Sequence, residues 1–269
     1  MRAKKSLGQH FLVSQTAIGR ILAACQEESP HAAGVLEIGP GRGALTAGLA
    51  DLGKPFWALE ADLALTLELQ ERYPGACVIL ADAAELDLAD FSRKARTSPW
   101  LVAGNLPYNV GTAVARRVLA SPRNVVVAVL MLQKEVAQKF CATRGRDGYG
   151  PIAAWAGPWW EREILFTLGP GAFRPQPKVT SAVCLFRPKR HPLLSAGEIG
   201  PYAAFLARAF AHPRKLLAAN LAGEGRDARF CKGTLESLGL SDKVRPAQAS
   251  PADYVRLFQR SRPQNPAAE

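Results

Sequence analysis

Val35-Leu36-Glu37-Ile38-Gly39-Pro40-Gly41-Arg42-Gly43 runs from four strand-like residues into three alternating glycines, and a helical pattern over residues 44–52 follows. Glycines at a strand-to-helix turn let the backbone take positive φ and approach a ligand closely. The next apolar run, Phe56-Trp57-Ala58-Leu59, ends on an acid, Glu60. A carboxylate there can accept from both ribose hydroxyls of an adenosine cofactor. A third run, Cys77–Leu80, leads to Asp82, placed to accept from that cofactor's adenine amino group. Taken alone, the Gly39/Gly41 turn is also an ordinary tight turn. With Glu60 and Asp82 at the carboxyl ends of successive strands it indicates an adenosine-containing cofactor, NAD being the competitor at this point. The chain has no G-x-x-x-x-G-K-[ST] loop, which argues against nucleotide hydrolysis.

Outward from this turn the first two-thirds of the chain alternates strand and helix patterns. Ser14 is a candidate cap for a helix over residues 15–28, with Ile18, Ile21, Leu22 and Cys25 on one face. Residues 62–73 and 112–119 read as helices, residues 101–103 as a strand, and 125–132 as the longest apolar run. Continuous apolar runs suit strands buried on both faces of a parallel sheet. The order implies a doubly wound α/β domain with right-handed crossovers. Near Gly169 the texture changes: Pro170, Pro175 and Pro177 stiffen a loop, residues 181–186 read as a strand, and residues 187–192 as a linker. Beyond it only helical patterns remain, at 202–210, 216–221, 230–238 and 253–258. The expected organisation is residues 1–190 as the cofactor-binding catalytic domain, 191–262 as a small basic all-α domain, and 263–269 as a tail.

The 269 residues are 48% hydrophobic and 21% charged, a globular composition with no run long enough to span a bilayer. The basic N-terminus lacks the apolar region of a secretory signal, so a cytoplasmic protein is expected. Five dispersed cysteines and four dispersed histidines suggest neither disulfides nor a metal site. Net charge is +11, and residues 187–260 carry thirteen Lys/Arg against six Asp/Glu, +7 of that total. Such clustering favours a polyanion, since each phosphate neutralised releases counterions; a solvated surface is the plainer alternative.

Asn105-Leu106-Pro107-Tyr108 follows the strand at 101–103, again at a carboxyl edge where open α/β sheets bind ligands. An adenine N6 lone pair is delocalised into the ring and is a poor nucleophile. The Asn105 side-chain oxygen and the Leu106 carbonyl can each accept one N6 hydrogen, biasing the nitrogen toward tetrahedral geometry and aiming its lone pair at a sulfonium methyl. Pro107 holds Leu106 extended, and Tyr108 can stack on the base. This is catalysis by orientation and preorganised dipoles, and it decides against NAD chemistry. Phe173-Arg174-Pro175-Gln176-Pro177-Lys178 is read as the other half of the pocket. Phe173 is either a second stacking face for an extruded base or a core residue; Arg174 and Lys178 are candidate phosphate contacts.

These motifs, with Lys4-Lys5-Ser6-Leu7-Gly8-Gln9-His10-Phe11-Leu12, Leu132-Gln133-Lys134-Glu135-Val136 and the C-terminal Leu238-Gly239-Leu240, occur together in one family. The chain resembles the KsgA-type small-subunit rRNA adenine dimethyltransferases over nearly its whole length. The resemblance implies a class I methyltransferase (Rossmann-like) fold and S-adenosyl-L-methionine as cofactor, contacted by His10, Leu12, Gly39, Glu60, Asp82 and Asn105. It implies two methyl transfers to each of two adjacent adenosines in the 3′-terminal hairpin of 16S rRNA, on an assembling 30S subunit, by a monomer. Two departures stand out. His10 replaces the Asn of many members, and His212-Pro213-Arg214-Lys215-Leu216 lacks one Arg and the Thr usual there, although Arg214 and Lys215 remain as candidate RNA contacts. The alternatives are a methyltransferase of the erythromycin-resistance type acting on 23S rRNA, and a non-catalytic RNA-binding assembly factor.

Overall fold

A computed structural model describes residues 9–223 and 228–261. Lys4, Lys5, Arg226 and the tail at 263–269 lie outside the described residues. The strands are β1 (Phe11–Leu12), β2 (Gly34–Ile38), β3 (Phe56–Glu60), β4 (Cys77–Leu80), β5 (Trp100–Asn105), β6 (Val125–Gln133), β7 (Trp160–Leu168), β8 (Phe173–Arg174) and β9 (Ser181–Pro188). Seven of them form one sheet in the order β4-β3-β2-β5-β6-β9-β7. Pairing is parallel from β4 through β6, whereas β9 runs antiparallel to both β6 and β7. β1 and β8 make a separate antiparallel pair, Phe11 opposite Arg174 and Leu12 opposite Phe173.

Helix α1 (Gln15–Glu28) precedes β2, and α2 (Thr46–Ala50), α3 (Leu63–Arg72), α4 (Leu88–Ala95) and α5 (Gly111–Leu119) connect the parallel strands. Three start on the side chains that local chemistry favours at a helix N-terminus: Ser14 Oγ accepts from Ala17 N, Asp62 Oδ1 from Ala64 N, and Asp87 Oδ1 from Asp90 N. Every residue of β2 is buried, as is β5 up to Gly104, because helices cover both faces of the parallel part of the sheet. A core joins Ile21, Cys25, Leu49 and Leu69 of the helices to Val35, Ala58, Leu101, Val129 and Leu185 of the strands.

Two sequence expectations change. The sheet is mixed rather than parallel, because β7 and β9 extend it beyond β6. Arg187 is no linker residue: it lies in β9, and its guanidinium bonds Glu28 and Glu163, the latter at 3.0 Å, tying the strand to α1 and β7.

The chain divides into two compact units, residues 1–137 with 160–188 and residues 138–159 with 189–269, whereas the sequence reading placed one boundary near residue 190. The second unit contains α7 (Pro151–Ala156), α8 (Ile199–Ala209), α9 (Leu217–Leu221), α10 (Ala228–Ser237) and α11 (Pro251–Ser261), while α6 (Lys134–Cys141) carries the chain across the division. Its core is aromatic. Tyr202 meets Trp159 and Phe258 edge-on at 5.7 and 5.3 Å, and the hydroxyls of Tyr149 and Tyr254 donate to the carbonyls of Ala249 and Pro246. Residues 138–159 group with the C-terminal helices because these aromatic contacts hold them there.

Candidate active site

In the order of the sheet, chain direction of growth reverses between β2 and β5, and ligands of open α/β sheets bind outside the strand ends at such a switch point. The cleft there encloses about 1030 Å³, part of it open to solvent. Its walls bring together the residues singled out from the sequence: Gly39 and Gly41 after β2, Glu60 ending β3, Asp82 after β4, Asn105 ending β5 and Pro107 after it, and His10 and Leu12 from the N-terminal segment.

Gly39 has φ +65°, and a Cβ on it would lie 3.5 Å from the Asn105 carbonyl oxygen. That is an ordinary contact; the tight approach of the two strands lies one residue earlier, at Gly104, where a Cβ would stand 2.4 Å from the Ile38 carbonyl oxygen. Glu60 is buried; its Oε2 accepts from Gly41 N and its Oε1 from Asp62 N, each at 3.0 Å. Burial raises its pKa, while those backbone donors pull it back down. Each carboxylate oxygen has further acceptor capacity for a ligand hydroxyl. Asp82 Oδ1 accepts from Ala84 N at 2.8 Å.

Asn105 Nδ2 donates to the His10 carbonyl oxygen at 2.9 Å. A carbonyl oxygen only accepts, so the amide nitrogen must face it, and Oδ1 is left as the acceptor. Leu106 is buried and its N–H donates to Met131 O at 3.1 Å, which anchors the loop to β6. The Tyr108 hydroxyl bonds Ser181 Oγ at 2.5 Å, and its ring stacks on His10 with centroids 5.1 Å apart.

Two placements depart from the expected roles. Phe173 has no exposed surface; it packs into the main core opposite Leu12, so of the two sequence readings the core position is the one observed. One face of Tyr108 is covered by the His10 ring, so a base can stack only on the other. Arg174, the last residue of β8, and Lys178, in the loop that follows it, are exposed. Arg214 and Lys215 are exposed on the turn after α8 in the second unit. That turn is braced by Asn220, whose Oδ1 accepts from His212 N at 2.7 Å and whose Nδ2 donates to His212 O and Leu216 O.

Sequence reading gave no role to Glu37, Thr46, Ser181 or Asn220. Glu37 lies on β2 in the cleft wall, 1% exposed, and accepts from Thr46 Oγ1 at 2.7 Å. Burial, reinforced by Glu60, pushes its pKa up to about 8 against the pull of Thr46. An acid inside a strand otherwise made of apolar residues was the available signal. Among the described residues no group of three or more potential ligands is placed to hold a metal ion, and no helix is long and apolar enough to cross a membrane.

The ribosomal RNA adenine dimethylase family matches residues 1–262. The ribosomal RNA small subunit methyltransferase A of Bdellovibrio bacteriovorus is 35% identical over 260 residues, covering 95% of this chain and 91% of that protein. The crystal structure of the 23S rRNA methyltransferase ErmE superposes with a TM-score of 0.71 at 26% identity, covering 93% of this chain and 98% of the other. A dimethyladenosine transferase from Plasmodium falciparum gives 0.77 at 20% identity over 93% and 97%, a likeness of fold. Fold and site together define a class I, S-adenosylmethionine-dependent methyltransferase. Within that class, the chain belongs to the ribosomal RNA adenine dimethylase family.

Proposed function

We propose that the chain transfers methyl groups to N6 of two adjacent adenosines in the 3′-terminal hairpin of 16S rRNA, two to each, on an assembling 30S subunit. The observation that carries the reading is Asn105, held at the carboxyl end of β5 with Nδ2 committed to the His10 carbonyl and Oδ1 left to accept. The cleft fits S-adenosylmethionine by the groups that line it: a positive-φ turn at Gly39 and Gly41 for close approach, a buried Glu60 carboxylate to accept from ribose hydroxyls, and Asp82 to accept from the adenine amine. Leu12 contributes apolar wall and His10 backbone. When bound, the cofactor supplies an electrophilic methyl on sulfur. The chain's part is to orient the amine: Asn105 Oδ1 takes one N6 hydrogen, the Leu106 carbonyl takes the other, and Tyr108 offers its uncovered face to the base. Preorganised acceptors of this kind need no rearrangement during reaction.

The first unit, residues 1–137 with 160–188, is the cofactor-binding catalytic part. Residues 191–262 carry the basic rRNA-docking surface, Arg214 and Lys215 on the Asn220-braced turn being its clearest cations, and Arg174 and Lys178 serve the target strand. Acting on 30S assembly, the protein works in the cytoplasm, as a monomer. The higher identity to small-subunit enzymes than to ErmE, 35% against 26%, favours 16S over 23S rRNA. Incubation of undermethylated 30S and 50S particles with enzyme and S-adenosylmethionine, followed by mass spectrometry of rRNA fragments, tests this. Dimethylation of two adjacent adenosines near the 16S 3′ end is the expected result. Methylation confined to 23S rRNA, or none, overturns it.

A further inference from the structure

His10 joins three segments that lie far apart in the chain. Its backbone carbonyl accepts from Asn105 Nδ2 at 2.9 Å. Its ring lies on Tyr108, the planes inclined by 29°. Its Nδ1 stands 2.8 Å from the Pro175 carbonyl oxygen. That oxygen can only accept, so Nδ1 carries the proton and the ring is fixed in orientation as well as in place. The backbone around it is secured by the pairing of Phe11 and Leu12 with Arg174 and Phe173. Tyr108 in turn is held at its hydroxyl by Ser181 and on one face by the imidazole. The family resemblance assigns residue 10 to the cofactor; the contacts of this imidazole lie with the loops that form the acceptor side.

We propose that the His10 imidazole is a positioning residue of the methyl-acceptor pocket. Clamped between Tyr108 and the Pro175 carbonyl, it fixes the plane of the Tyr108 ring and leaves the opposite face for the target adenine. It thereby sets the angle at which N6 meets Asn105 Oδ1. The same residue supplies the carbonyl that orients Asn105, so both guides to the adenine, the stacking ring and the amide acceptor, are referenced to one point in the backbone. An asparagine at this position can donate a hydrogen bond but offers no ring to brace Tyr108. The proposal rests on the adenine reading of the preceding subsection.

The test compares wild type with His10→Ala, His10→Phe and His10→Asn. Three quantities are read: the Kd for S-adenosylmethionine by calorimetry, the thermal midpoint, and kcat and KM on undermethylated 30S particles. Because misplacement of a reacting group by about 1 Å costs on the order of 100-fold in rate, His10→Ala is expected to lose roughly 10- to 100-fold in kcat. Its cofactor Kd stays at the wild-type value. His10→Phe, which keeps the ring and loses the hydrogen bond, recovers most of that kcat; His10→Asn, which keeps a donor and loses the ring, does not. A cofactor Kd that weakens in step with kcat returns residue 10 to the cofactor and overturns the proposal. So does His10→Phe as slow as His10→Ala, or His10→Ala at wild-type kcat. Should His10→Ala fail to fold, the ranking of Phe over Asn decides alone. If wild type methylates 23S rather than 16S rRNA, the substrate reading fails and the same series on that RNA still decides the role of His10; if it methylates neither, both fall.

Discussion

The side-chain amide of Asn105 is oriented by the backbone carbonyl of His10, 95 residues earlier in the chain, through a 2.9 Å hydrogen bond from Nδ2. The acceptor proposed for the target amine is thus aimed by a group that takes no part in the chemistry.

Replacing Asn105 by alanine removes that acceptor and leaves the His10 carbonyl to water. Loss of one preorganised polar partner at a reacting centre costs about 100- to 1000-fold in kcat, which is the fall expected in a tritium-transfer assay. Asn105 is only half-buried, so the thermal midpoint should move little. Wild-type kcat in a folded Asn105→Ala protein removes this residue from the mechanism.

Phe173 is fully buried against Leu12 and the main core. Phe173→Ala should therefore destabilise the protein by about 3–5 kcal/mol, read as a lower urea midpoint. An unchanged midpoint with slower methyl transfer would restore the base-stacking role.

Glu37 gives the fold a defined pH dependence. Its carboxyl is ordinarily half-ionised at 4.5 and in the folded protein only at about 8, so between those values the native state holds a proton that the unfolded chain has released. The contribution of Glu37 to stability is therefore complete below 4.5 and is lost as pH rises through about 8. Glu37→Gln keeps an acceptor for Thr46 and cannot ionise. Urea unfolding at pH 5.5 and pH 8.5 should show the variant gaining on wild type at the higher pH. A stability difference identical at both values removes the buried acid as the cause.

Arg214 and Lys215 stand exposed on a turn braced by Asn220. If they contact rRNA phosphates, the double change to alanine should weaken 30S binding and reduce the slope of log K against log salt by about one to two. Affinity and slope both at wild-type values exclude this turn from the docking surface.

Much of the parallel half of the fold was readable because β2, β3 and β4 each leave the same mark in the sequence: a continuous apolar run, then a glycine or an acid. Gly39, Glu60, Asp82 and Asn105 share an edge because these strands run parallel, which brings their carboxyl ends to one side. β7 was missed because it is an edge strand. Glu161, Arg162 and Glu163 interrupt its apolar pattern, a protection suited to a strand with one open side. The transfer of residues 138–159 to the second unit was also hidden, since it depends on Tyr149 and Trp159 meeting partners from residue 202 onward. The His10–Tyr108 stack joins residues 98 positions apart and leaves no local signal.

The insertion of β9 between β6 and β7 has a consequence for the birth of the protein. Among the described residues β7 borders no strand of the sheet except β9, which leaves the ribosome after it. Through some twenty codons β7 waits without a neighbour, and Phe11 and Leu12 wait far longer for Phe173 and Arg174. An enzyme proposed to finish ribosomes thus completes its own catalytic half only once its synthesis has passed residue 188.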